Sequence, residues 1–221
     1  MVAAVIPAFN EEKRIWKVIR DAAKYVDKII VVDDGSCDKT AQQVKNRKAI
    51  VLTHRFNLGQ GAALQTGFDY AKKINADIVI TFDADGQFKA SEIPRVIKPI
   101  LEGRIDAVLG SRFLGGTVDM PLSRRMTLRL GIIFTNIFYG IKLTDTFNGF
   151  RAFSSGAIHK INLTQNRMAH AAEIIDQIQL HKLKFVEVPV TVIYNKNTFN
   201  KGLRNINAFK LFFDLITKKL S

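Results

Sequence analysis

Two kinds of hydrophobic pattern alternate along this chain. Residues 2–6, 28–32, 50–53, 78–82 and 106–109 are short runs dominated by apolar, mostly β-branched side chains, without the polar alternation of a half-exposed strand. Such runs read as strands buried on both faces of a parallel sheet. Between them the apolar positions fall at helical spacing. Ile15, Val18, Ile19 and Ala22 mark a helix expected to open at Asn10-Glu11-Glu12, and further helices are expected up to about Lys73 and over 92–101. Strands separated by helices of this length imply βαβ units and a doubly wound sheet.

The second half is less regular. Gly115-Gly116 ahead of Met120-Pro121-Leu122 suggests a mobile loop, and 122–142 places Arg124, Arg125 and Arg129 before an apolar run. A helix over 170–181 precedes a bent strand or strand pair over 185–192. From Leu203 onward Ile206, Phe209, Phe212, Phe213 and Ile216 recur at helical spacing among lysines. That amphipathic tail either packs on the sheet or lies in an anionic membrane surface.

Length fits one domain: 221 residues bury roughly 70 % of the unfolded surface. Basic residues exceed acidic ones by 33 to 20, and the resulting charge of +13 calls for an anionic partner. Nucleic acid is disfavoured, because the sixteen phenylalanines sit mostly in apolar runs and offer no stacking platform. The single cysteine, Cys37, forms no internal disulfide and fits a reducing compartment. No signal peptide is expected, and the longest apolar run is shorter than the ~20 residues that span a bilayer. The expected location is cytoplasmic, at the membrane surface.

Chemistry concentrates where the strands end. Asp83 and Asp85 follow the 78–82 strand and precede Gly86 and Gln87. Ligands bind at this edge in open α/β sheets, and carboxylates at i and i+2 with a nearby amide oxygen suit Mg²⁺ or Mn²⁺. Asp33-Asp34-Gly35-Ser36 forms a second acidic turn, readable as a capped turn on its own. The four histidines show no metal-binding spacing.

Six segments in order carry a family resemblance: Pro7-Ala8-Phe9-Asn10-Glu11-Glu12, Val31-Val32-Asp33-Asp34-Gly35-Ser36, Asn57-x-Gly59-x-Gly61-Ala62, Asp83-Ala84-Asp85-Gly86-Gln87, Gly110-Ser111-Arg112 and Asn148-Gly149-Phe150-Arg151. The chain resembles family 2 glycosyltransferases of the GT-A fold, in particular the dolichyl-phosphate mannose synthase and bacterial polyprenyl-phosphate sugar transferase group. The resemblance implies an α/β GT-A fold, a single Rossmann-like domain with a mostly parallel central sheet flanked by helices. Residues 1–112 would bind the nucleotide sugar, 113–202 the acceptor, and 203–221 would form the amphipathic C-terminal helix.

It also implies roles. Pro7, Phe9, Glu11, Val32, Asp34 and Gly61 would line the nucleotide-sugar pocket. Asp83, Asp85 and Gln87 would hold Mg²⁺ or Mn²⁺ against the diphosphate. Arg112 and one of Arg124 and Arg125, with Arg125 preferred, would hold the phosphate of a polyprenyl phosphate acceptor. Such an acceptor is already anionic and needs no general base. A sugar hydroxyl acceptor would need one, with Asp145 or Glu173 as candidates; otherwise Asp145 is expected to pair with Arg151. Phe88-Lys89 stands where many relatives have His-Pro or Pro-Pro, and Cys37 where Thr is usual. A nucleotidyltransferase with an acidic strand end is the remaining rival.

Overall fold

A computed structural model describes residues 1–45, 49–103, 105–165 and 169–194. The tail helix expected from Leu203 lies outside them. Seven strands form one sheet: β1 (Val2–Ala8), β2 (Lys28–Asp33), β3 (Ile50–Thr53), β4 (Ile78–Thr81), β5 (Ala107–Val118), β6 (Arg151–Ser154) and β7 (Phe185–Ile193). Their order is β3-β2-β1-β4-β6-β5-β7, and β6 alone runs antiparallel, between β4 and β5. The helices are α1 (Ile15–Ala22), α2 (Thr40–Lys45), α3 (Gln60–Lys73), α4 (Ile93–Leu101), α5 (Leu122–Tyr139), α6 (Ser155–Lys160) and α7 (His170–Leu180).

The uninterrupted apolar runs are explained by burial on both faces. Along β1, Ala4 and Ile6 join α1 and α4 in one core, while Ala3 and Val5 join α3, α6 and α7 in the other. Strand order reverses at β1, which pairs with β2 on one side and β4 on the other. Because β6 is antiparallel, its first residue shares an edge of the sheet with the carboxyl ends of β1, β2, β4, β5 and β7. Every motif singled out above therefore converges on one edge.

Two expectations are revised. Helix α1 begins at Ile15, not Asn10, because Asn10 adopts φ 54° and residues 10–12 form a tether instead. The Asn10, Glu11 and Glu12 amides donate to Ser36, Thr40 and Asp38, which ties the segment after β1 to the turn after β2. The loop expected at Gly115-Gly116 is strand: β5 resumes pairing with β7 at Gly116 after a bulge. Gly115 is required there, since a Cβ would lie 2.3 Å from the Val190 carbonyl oxygen. The sheet also contains β6, which residue pattern alone does not announce.

Helix α5 is apolar on opposite faces. Leu128, Gly131, Ile132 and Thr135 are buried, whereas Leu122, Met126, Leu130, Ile133 and Ile137 form an outward stripe 55 to 78 % exposed. Arg125 and Arg129 are exposed along one margin of that stripe. No helix among the described residues is long and apolar enough to cross a membrane.

One packing constraint gives a prediction of unusual sign. Alanine favours a helix interior over glycine by about 1 kcal/mol. A Cβ on Gly67 in α3, however, would meet Val5 Cγ1 on β1 at 2.2 Å. Gly67→Ala should lower stability by ~1–3 kcal/mol through overpacking, and Val5→Ala should recover part of that loss in the double variant, as read from urea midpoints.

Candidate active site

The acidic turn after β4 is fixed from below and from both sides. Phe82, Phe88 and Phe150 pack as an aromatic triangle with centroids 5.1 to 5.7 Å apart. Edge-to-face packing of this kind adds to the burial of apolar area. The Ile193 amide donates to the Gln87 carbonyl at 2.9 Å, tying the turn to the end of β7. Thr81 Oγ1 donates to the Gly149 carbonyl at 2.6 Å and accepts from the Arg151 amide. Gly149 presses on Asp83 so closely that a Cβ would lie 2.7 Å from Oδ2. The Asn148-Gly149 segment thus forms one wall of the site.

Asp83 accepts from Gln60 Nε2 at 2.8 Å, from the first residue of α3. Burial, then the neighbouring Asp85 carboxylate, push its pKa up to about 7 against the pull of Arg151 and Arg112. Asp85 Oδ1 accepts from the Gln87 amide, which fixes the turn. Two carboxylates this close disfavour joint ionisation unless a cation joins them. The oxygen donor set fits Mg²⁺ or Mn²⁺. Among the described residues no third His, Cys, Asp or Glu completes a cage, so further oxygens would come from Gln87, ligand or water.

The arginines are sorted by their partners. Arg112 Nε donates to Asp145 Oδ2 at 2.6 Å, its amide donates to the same oxygen, and Nη1 donates to Tyr194 Oη at 2.6 Å. Burial opposes the Arg112 charge, but Asp145 and Tyr194 outweigh it and raise its pKa. The expected Asp145–Arg151 pair is therefore replaced by Asp145–Arg112. Arg151 instead donates to the carbonyls of Asn148, Thr146 and Ala171. Its burial lowers its pKa to about 10, with Asp145 and Asp83 pulling it back up.

Arg124, on the first turn of α5, also hydrogen-bonds Tyr194. Burial and the nearby Arg112 cation lower its pKa, while Tyr194 works the other way. Arg125 is exposed on the outer side of the helix. The helix register thus brings Arg124, rather than Arg125, beside Arg112. Tyr194 and Gln60 were not anticipated, and only Gln60 lay within a recognised motif.

On the other flank Phe9 is 40 % exposed, Pro7 is half-buried and Glu11 is buried, with its carboxylate accepting from Arg14. Asp34 accepts from the amides of Leu58 and Gly59 and from His54 Nδ1 at 2.7 Å. It therefore clamps the glycine-containing loop as well as facing the edge. Val32 is fully buried in the core with Ala63 and Leu64, which leaves its backbone to meet a ligand. Gly61 is a close-packing position, where a Cβ would lie 1.8 Å from the Gln165 carbonyl oxygen. Glu173 accepts from the amides of Thr164 and Gln165 and anchors their loop.

A mostly parallel seven-stranded sheet flanked by helices, with an acidic turn at the carboxyl end of a central strand, fits the GT-A fold. The chain belongs to glycosyl transferase family 2, whose sequence profile matches residues 3–162. It is similar to a UDP-N-acetylglucosamine–dolichyl-phosphate N-acetylglucosaminyltransferase of Methanococcus voltae, with 34 % identity over all of this chain and 96 % of that one. It also resembles an undecaprenyl-phosphate mannosyltransferase of Micrococcus luteus, 29 % identical over 87 % of this chain and 83 % of the other. In fold it matches glucosyl-3-phosphoglycerate synthase of Mycobacterium tuberculosis, crystallised with Mn²⁺, UDP and glucosyl-3-phosphoglycerate, at TM-score 0.74 and 19 % identity, covering 97 % of this chain and 79 % of that one.

The raised Asp83 pKa carries a sign. An aspartate protonated more readily folded than unfolded destabilises the fold above its unfolded pKa, and the penalty reaches its full size above the folded value. Asp83→Asn should therefore stabilise the metal-free protein by about 1–2 kcal/mol at pH 8. The gain should shrink as pH falls from 7 towards 4, as measured by thermal unfolding across that range.

Proposed function

We propose that this glycosyltransferase moves a sugar, with inversion, from a GDP- or UDP-sugar to a polyprenyl phosphate, using Mg²⁺ or Mn²⁺. The observation that carries the reading is the meeting of an acidic turn, Asp83–Asp85, with a guanidinium pair, Arg112 and Arg124, at one sheet edge. The names of the Methanococcus and Micrococcus relatives support a lipid-phosphate acceptor. The donor side comprises Pro7, Phe9, Glu11, the Val32 backbone, Asp34 and the loop packed through Gly61. Residues 1–112 supply most of it, and 113–202 supply most of the acceptor side.

Asp83, Asp85 and Gln87 would hold the divalent ion, which as a Lewis acid stabilises the charge of the departing diphosphate. Phe9 is exposed where it can stack on a base. Arg112 and Arg124 hold the acceptor phosphate, whose oxygen attacks the anomeric carbon while the nucleoside diphosphate leaves from the opposite face. No side chain needs to take a proton, since a phosphate monoester is ionised near neutral pH. The competing hydroxyl acceptor is disfavoured by the engagement of both candidate bases: Asp145 is bound to Arg112 and Glu173 to the 164–165 loop.

A lipid acceptor brings the enzyme to a bilayer, and α5 supplies a suitable surface. A helix apolar on both sides needs a second nonaqueous neighbour. The outward stripe from Leu122 to Ile137, with Arg125 and Arg129 at its margin, fits burial in the headgroup region of an anionic membrane. Its first turn carries Arg124, so the phosphate site lies at the level where lipid headgroups lie.

Two experiments test this reading. With Mg²⁺ or Mn²⁺, radiolabelled nucleotide sugar and a short-chain polyprenyl phosphate, label should become extractable into organic solvent. Chelation or Asp85→Asn should remove at least 99 % of that transfer. Transfer to lipid that survives chelation would overturn the metal assignment, and transfer only to free glycans would overturn the acceptor. Separately, Leu130→Ser combined with Ile137→Ser should abolish sedimentation with anionic vesicles while leaving the unfolding temperature within a few degrees.

A further inference from the structure

His54 is a half-buried histidine to which neither the family motifs nor the proposed chemistry assigns a task. It follows β3 directly, and its amide donates to the Asp33 carbonyl at 2.9 Å, so its backbone is pinned to the end of β2. Its ring lies between partners from two other elements. Nδ1 is 2.7 Å from Asp34 Oδ1, and Nε2 is 2.9 Å from Thr66 Oγ1 on α3. An ionised carboxylate only accepts, so the hydrogen of the first bond sits on Nδ1. The ring is held at both ends, with 12 % of its side chain exposed.

His54 changes what Asp34 has left to offer. The two oxygens of a carboxylate provide about four lone-pair sites, two on each. Oδ1 accepts from His54 Nδ1 and from the Leu58 amide at 2.9 Å, which fills it. Oδ2 accepts from the Gly59 amide at 2.7 Å and has no second donor among the described residues. One acceptor site therefore remains on Asp34, at Oδ2. The two backbone amides suffice to fasten the loop at Leu58 and Gly59; the histidine adds the closure of Oδ1.

We propose that His54 is a specificity-determining residue for the donor: by filling Asp34 Oδ1 it leaves a single acceptor, which selects a uracil base over guanine. This rests on the reading above that Asp34 belongs to the donor side. Uracil presents one ring N–H, at N3, and one acceptor satisfies it. Guanine presents N1–H and an exocyclic amine side by side, and a carboxylate pairs with them through both of its oxygens. With Oδ1 closed, one of those two donors is left without its partner, which costs affinity. The donor class narrows to UDP-sugars.

The test is calorimetric titration of the full chain, with Mn²⁺, by UDP, GDP and UDP methylated at N3. The wild-type protein should bind UDP about tenfold tighter than GDP or better, and N3-methylation should weaken UDP by about tenfold or more. His54→Leu reopens Oδ1 and should bring the UDP-to-GDP preference below about threefold, whereas His54→Asn, whose side-chain amide reaches the Nδ1 position, should keep most of it. A purely structural role would weaken both nucleotides alike, so the ratio is the readout. Equal or tighter binding of GDP by the wild type, or undiminished affinity for N3-methylated UDP, would overturn the base assignment. An unchanged ratio in His54→Leu would overturn the role of His54. Should that variant fail to fold, Thr66→Val, which unfastens the ring at Nε2, should lower the same ratio, and an unchanged ratio there counts equally against it. Failure of the wild type to bind either nucleotide would overturn the donor reading itself, and this inference with it.

Discussion

The buried ion pair between Arg112 and Asp145 is the interaction on which the site depends. It fastens the bulged part of β5 to the 144–151 segment, and that segment carries Gly149 against Asp83. Asp145 also receives the amides of Arg112 and Phe147, and Glu187 on β7 anchors the amides of Thr144 and Asp145. A buried pair is a poor source of net stability, because desolvation offsets most of its attraction. Removing one partner is costly, about 3–5 kcal/mol, since the other charge is left unpaired. Its effect here is to fix geometry: β5, β7 and the wall of the acidic turn cannot shift separately.

The first half of the fold was legible in the sequence because its signals are local. Unbroken apolar runs, each closed by acids or glycines, gave β1 to β4 and the turns after them. Asp83, Asp85 and Gln87 lie within five residues of one another, so no tertiary knowledge was needed to group them. The less legible features depend on partners distant in the chain. Strand β6 is only Arg151 to Ser154, opens on a charged residue, and is strand because β4 and β5 lie on either side of it. Gly115-Gly116 carries a loop signal that the pairing of β5 with β7 overrides.

Side-chain roles followed the same rule. Nothing within the motif distinguishes Arg124 from Arg125; the register of α5 against the sheet does. Asp145 was paired with Arg151, six residues away, but its partner is Arg112, thirty-three residues upstream. Asp34 was expected to face ligand, and it also holds the loop at Leu58 and Gly59, a role visible only when β2 and α3 are adjacent. Tyr194 carried no sequence signal, since a tyrosine after a strand is ordinarily a packing residue.

The charges of the site are held apart, although opposite signs at such a distance would ordinarily pair. If Arg112 or Arg151 collapsed onto Asp83, the acidic turn would be neutralised and both a cation and an anionic acceptor would face a competitor. Each arginine has been given another occupation. Arg112 is held by Asp145 and Tyr194, and Arg151 by three backbone carbonyls, so their fields reach Asp83 while their hydrogen bonds do not. The raised Asp83 pKa comes from its burial and from the neighbouring Asp85 carboxylate, which the fields of the two arginines only partly offset. Side by side, an acidic turn and a pair of guanidiniums held from collapsing onto it give one sheet edge two regions of opposite charge, and the proposed reaction between two phosphorylated substrates draws on both.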